Sequence, residues 1–221
     1  MNTFKEEVPS TETSLDAKSR SVFLALLSSA ANKGITVTPT KLVKLMYLLD
    51  LQRVSNRLEP ATSINWRWRH YGPYANSIFY SESDLCREGF IESVPRRWGN
   101  REGRELRLLR QDYVAPALDV IASIDAVLQE FGHLTPTQIK DHTYTTAPMI
   151  AAQQNGNREV LLDLRLARPR INVRRVASKY ANRRAATPKE SFDNAAAQSE
   201  LRQVVSDTSR TRYRANKLLE A

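Results

Sequence analysis

Apolar side chains recur along the chain in two alternating rhythms. Phe23, Leu26, Leu27 and Ala30 fall at i, i+3, i+4 and i+7, one face of a helix over Leu15 to Asn32, with Gly34 as its stop. Leu42, Leu45, Met46 and Leu49 repeat the pattern. Thr38 is a good N-cap for this second helix and Pro39 suits its first position, so it should run to about Asn56. Ile64 to His70 then alternates with period two, the mark of a strand with one buried face. Ile64, Trp66 and Trp68 share the core side, and Arg67 and Arg69 face the other way. Gly72-Pro73 breaks the strand, and Pro73 is expected to open a third helix running to about Glu88.

Downstream, Phe90–Val94 and Glu105–Leu109 read as two strands around a loop from Pro95 to Arg104. Ala117, Ile121, Ile124, Leu128 and Phe131 form a helical stripe. Thr135-Pro136-Thr137-Gln138 is a capping box that starts another helix, and Ala147-Pro148 begins one more turn or helix. Val160 to Leu166 fits a short strand or a helix equally well. Thr187-Pro188-Lys189-Glu190 is a second capping box, expected to start a C-terminal helix running past Val205. The fold class is therefore mainly α with a small antiparallel β-sheet (α+β). The order of helices and hairpin also overlaps that of a winged helix.

Charge divides the chain. From Arg168 onward there are 13 Lys and Arg against 5 Asp and Glu, whereas the first 167 residues hold 20 against 19. The expected organisation is a polar, disordered N-terminus over 1–14, a domain over 15–167 and a basic, partly helical extension over 168–221. A basic extension suits a polyanion or an acidic protein surface. No run of about 18 apolar residues exists, so no membrane span is expected. The N-terminus lacks the order of a signal peptide and Cys86 is the only cysteine, which favours a cytoplasmic protein.

Little in the sequence points to catalysis. His70, His133 and His142 lack metal-ligand spacing, and neither a phosphate loop nor a Gly-x-Ser-x-Gly elbow occurs. No catalytic residue, metal or cofactor is expected, and the chain reads as a non-enzyme. Two clusters suit binding instead. Trp68, Arg69, Tyr71 and Tyr74 surround the Gly-Pro turn, and these residue types dominate protein interfaces. Arg96, Arg97, Trp98, Arg101 and Arg104 suit a phosphate backbone or an acidic protein surface, and Arg174, Arg175, Arg183 and Arg184 add to the basic tail. Weak, salt-sensitive nucleic-acid binding through that tail is expected.

Thr40, Leu42, Lys44, Leu45 and Tyr47, spaced Thr-x-Leu-x-Lys-Leu-x-Tyr, followed by Trp68, Gly72, Pro73, Ile78 and Phe79, resemble the Panacea domain of SocA-type antitoxins. The resemblance spans about residues 17–165. It departs from the family after Pro148, where Met149 stands in place of a tryptophan. It implies an antitoxin of a bacterial or phage toxin–antitoxin system, with a cognate toxin protein as partner. Many family members neutralise toxins by direct binding; a SocA-type member acts as an adaptor that delivers its toxin to the ClpXP protease. A winged-helix-like DNA-binding regulator is the alternative. Against it, the helix after Pro73 carries Arg87 as its only base.

Overall fold

In the computed structural model, residues 14–69, 71–99, 101–156 and 158–169 are described, together with the helical residues Ser199, Arg202, Gln203, Val205 and Ser206. Contacts divide the chain into Met1–Pro169 and Arg170–Ala221. The N-terminal segment before Ser14, the capping box at Thr187 and Arg174, Arg175, Arg183 and Arg184 lie outside the described residues. Among those described, the elements are helices α1 (Ala17–Asn32), α2 (Pro39–Ser55), α3 (Asn76–Arg87), α4 (Leu118–Phe131), α5 (Pro136–Tyr144) and α6 (Ala147–Gln154), and strands β1 (Arg67–Arg69), β2 (Gly72–Tyr74), β3 (Ile91–Trp98) and β4 (Arg101–Leu108). A 3-10 turn covers Leu164–Ala167. The fold is mainly α with two small antiparallel hairpins, β1–β2 and β3–β4. No helix among the described residues is long and apolar enough to cross a membrane.

Helix starts follow local chemistry. The Asp16 side chain accepts the Ser19 N–H at the head of α1, and Thr38 accepts the Lys41 N–H at the head of α2, with Pro39 at its first turn. Thr135 and Gln138 close a full capping box on α5. Gly34, at φ 66°, lets the chain leave α1 in the left-handed conformation.

Helix α2 is the centre of the domain and packs against α4, α5, β2 and the 3-10 turn. Leu42, Leu45, Met46 and Leu49 form its fully buried apolar seam. It is also buried on its remaining sides, where every third residue is polar: Lys41, Lys44, Tyr47, Asp50 and Arg53. A three-residue step falls short of a full helical turn, so these side chains spiral around the helix and each meets a different neighbour. The Lys41 amine donates to the Gly132 carbonyl after α4, and Lys44 donates to the Pro73 carbonyl at 2.6 Å. The Tyr47 hydroxyl lies 2.9 Å from that of Thr146, ahead of α6. The Asp50 carboxylate accepts from the Thr62 N–H and the Trp66 Nε1–H, each at 2.9 Å, and from the Thr62 hydroxyl. Arg53 donates to the Glu59 carbonyl and to Asp119. Each of these five side chains is thereby hydrogen-bonded, which is the condition for keeping it there.

Three local expectations change. Pro73 does not open α3. It sits in β2 opposite Trp68, and the helix starts at Asn76 after the N-cap Ala75. Proline tolerates this place because the nitrogen of such a short edge strand need not donate. The Pro95–Arg104 loop is mostly ribbon: β3 and β4 pair from Ile91↔Leu108 to Trp98↔Arg101. On α4, Ala117 is exposed ahead of the helix, and Val120, Ile124, Val127, Leu128 and Phe131 make the buried face. The ambiguous Val160–Leu166 stretch resolves into both forms. Leu161 bridges Arg67 on the edge of β1 away from β2, and the 3-10 turn follows.

Candidate partner-binding corner

The β1–β2 hairpin makes a sharp corner at the domain surface, with Arg69 opposite Gly72. Gly72 has φ 96°, and a Cβ there would come within 3.1 Å of Thr143 Oγ1 and 3.4 Å of Lys44 Nζ, so only glycine fits. Tyr71 stands out from this corner, 73% exposed. Trp66 is fully buried against the Asp50 carboxylate and meets Tyr47 edge-on, while Trp68 is half-buried against the core.

The flank of the corner is braced. Arg69 donates from Nε to Glu159 Oε1 at 2.6 Å, and its guanidinium lies 4.9 Å from the centre of the Tyr74 ring. Tyr74 in turn stacks on Phe79 at 5.3 Å. Tyr74 is therefore half-buried and part of the brace, unlike Tyr71. Glu159 adopts φ 68°, uncommon for a residue with a side chain. Its N–H donates to the Trp68 carbonyl at 2.8 Å and its own carbonyl accepts from Arg67, and these contacts hold the conformation. A groove of about 310 Å³ runs beside Arg67, Arg69, Tyr74 and Glu159, with Leu15 and Asp16 on its far side.

Beneath the corner lies Lys44, 3% exposed. Burial, with a smaller push from Lys140, brings its amine down to about 7. Burial also pushes the Tyr47 hydroxyl up to about 12 and raises the Asp50 carboxyl, although the donors from Thr62 and Trp66 pull Asp50 the other way.

The arginine cluster is arranged differently from a free basic loop. Arg96 pairs with Glu105 at 2.7 Å, and Arg104 reaches the buried Glu82 on α3 at 2.9 Å. Burial raises the Glu82 carboxyl while Arg104 opposes it. Arg97 is exposed opposite Glu102, and Trp98, 44% exposed, lies over Gly103, where a Cβ would meet its ring at 3.0 Å. The Arg101 side chain lies outside the description. His142 packs on Phe131, and burial raises the half-buried Cys86 thiol, which makes it a poorer nucleophile. Among the described residues no three His, Cys, Asp or Glu side chains gather to hold a metal.

Residues 42–148 match the family model described as the antitoxin SocA-like Panacea domain. This stretch, just under half of the chain, is similar to that antitoxin-like domain. No curated protein and no solved structure matches the chain. Within the Panacea stretch the motif residues take distinct parts. Leu42 and Leu45 are core, Lys44 and Tyr47 tie α2 to the corner and to α6, and Thr40 is exposed. Asp50 and Arg53, which continue the same three-residue step, are signals that the sequence reading passed over, as is Glu159 beyond the matched stretch.

Proposed function

We propose that the chain is an antitoxin that neutralises a cognate toxin by direct protein–protein contact, and that the Tyr71 corner is part of the contact. One observation carries the reading. Tyr71 is a large exposed aromatic on a corner whose backbone and flank are held by Lys44 and by the Arg69–Glu159 pair. Tyr and Arg supply most interfacial hot spots, and a side chain on a fixed backbone loses less freedom on binding. The match of residues 42–148 to an antitoxin-like family model supports the same reading. With 20 basic and 19 acidic residues in the first 167, long-range attraction contributes little, so shape and local contacts set the specificity. The chain acts here without catalysis, as occlusion of a toxin's active site requires none.

The test uses the product of the adjoining open reading frame. Its expression alone should stop growth, and co-expression of the full chain should restore it. In titration of the purified pair, Tyr71→Ala, with circular dichroism unchanged, should weaken binding by about 1–3 kcal/mol. Unchanged affinity removes the corner from the contact. Rescue that disappears in a host lacking ClpXP replaces occlusion with delivery to the protease.

A further inference from the structure

The buried amine under the corner is not explained by packing alone. Lys44 Nζ donates to the Pro73 carbonyl at 2.6 Å, and the Gly72 backbone lies close enough that a Cβ there would sit 3.4 Å from Nζ. Among the described residues no carboxylate lies within ion-pair distance of it. The groups facing it are few. From β2 come Gly72 and the Pro73 carbonyl; α5 brings the like-charged Lys140, whose amine is 3.3 Å from Asp141, and sets Thr143 and Tyr144 against Gly72. On α2 itself, Lys41 is engaged by Gly132 and Tyr47 by Thr146. His70, which precedes Tyr71 in sequence, lies outside the described residues.

The hairpin is braced on its β1 edge by Glu159 and Val160 and on its flank by Tyr74 against Phe79, and on its Gly72–Pro73 side it is met by Lys44. It pairs three residues on each strand, and Pro73 has no N–H to give to the ladder. A charged donor makes a hydrogen bond about twice as strong as a neutral one. The charge on Lys44 therefore bears on how firmly the Gly72–Pro73 side of the corner is held.

We propose that Lys44 is the positioning residue of the Tyr71 corner. Its protonated amine clamps the Pro73 carbonyl, and loss of the proton under mildly alkaline conditions slackens the turn while the domain stays folded. Burial that brings the amine to about 7 places this change within reach of ordinary conditions. The clamp stands on the geometry; its consequence for binding rests on the toxin-contact reading, with the corner offering Tyr71 in one pose when clamped and in several when released.

The experiment uses the full chain in a His70→Gln background, which removes the imidazole that precedes Tyr71 in sequence. Lysine side-chain carbon NMR follows Lys44 from acid to alkaline pH, and hydrogen exchange gives the protection of the Tyr71 and Gly72 amides after correction for intrinsic rates. One lysine signal should titrate near neutrality and vanish in Lys44→Gln. Protection at the corner should fall about fivefold through the same midpoint, the scale of losing charge assistance. In Lys44→Gln it should stay flat at the alkaline wild-type level. A Lys44 signal that titrates with the other lysines, or protection that ignores its titration, overturns the proposal. If Lys44→Gln does not fold, Lys140→Gln takes its place. Removing the like charge should move both midpoints upward together, and midpoints that part company overturn it. A pH-dependent clamp combined with toxin affinity indifferent to Tyr71→Ala supports the clamp and removes the contact reading alone.

Discussion

Basic side chains sit at short spacing both on helix α2 and along the β3–β4 ribbon, and the two regions use them in opposite ways. On α2, Lys41 and Lys44 are buried and give their hydrogen bonds to neutral carbonyls of distant segments. On the ribbon, Arg96 and Arg107 are exposed and meet the Glu105 carboxylate. Burial opposes ionisation of Glu105, yet the two arginines draw its carboxyl below the usual range. A buried cation on a carbonyl carries an uncompensated desolvation cost, so its effects are large and depend on pH. An exposed ion pair is screened by water and contributes little. The same residue types therefore report on the core in one place and on solubility and surface contacts in the other.

The comparison is broken most directly at Asp50. Asp50→Ala leaves the Thr62 and Trp66 donors unpaired in the core and should cost about 3–5 kcal/mol in urea unfolding. A loss below about 1 kcal/mol would mean that water enters and satisfies them, and that the α2 spiral is not the framework.

Lys44 sharpens the comparison through pH. It is a base whose folded-state value, about 7, lies below its ordinary 10.5. Between these values the unfolded chain binds the proton more tightly, so stability rises with pH across the window, and the burial cost is fully present below it. Lys44→Met should therefore gain on wild type at acid pH and lose that advantage as pH rises. The difference should swing by about 3–4 kcal/mol between unfolding curves at about pH 6 and about pH 10. A swing of the opposite sign would show that a counter-charge holds the amine protonated.

The ribbon gives the smaller effects. Arg104→Ala strips the partner from the buried Glu82 and should cost about 1–2 kcal/mol, since Arg104 itself is half exposed. Arg96→Ala should change stability by less than about 0.5 kcal/mol, because Glu105 keeps Arg107 and water. Equal losses at the two positions would erase the distinction between buried and exposed partners.

Periodicity and caps made most helices legible. Thr38-Pro39 and Thr135-Pro136 mark starts that the chain uses, because a cap is satisfied by residues within one turn. The outer half of the ribbon, Pro95 to Arg104, has no apolar alternation to mark it as strand. Both of its faces are wet, so backbone pairing, rather than burial, extends it. Gly72-Pro73 signals a break without saying whether a helix or a second strand follows, and here a strand does. Of the corner, Trp68, Arg69, Tyr71 and Tyr74 could be picked out as neighbours in sequence. Glu159, which braces Arg69 from ninety residues away, could not. Lys44 and Tyr47 were marked by family resemblance, yet their partners Pro73 and Thr146 depend on tertiary structure.

The spiral of polar residues on α2 also has a meaning in time. Its contacts span 6 to 99 residues of sequence: Arg53 closes on Glu59 and Asp50 on Thr62 early, Lys44 needs Pro73, Lys41 needs Gly132, and Tyr47 waits for Thr146. During synthesis the central helix emerges first and its partners emerge in that order. Until the α5–α6 junction has left the ribosome, the helix carries polar groups that a collapsed core would strand. Such long-range closure slows folding and makes it all-or-none. A chain cut short before Thr146 lacks the last of these partners, and the domain can close only once nearly the whole of residues 42–148 has been made.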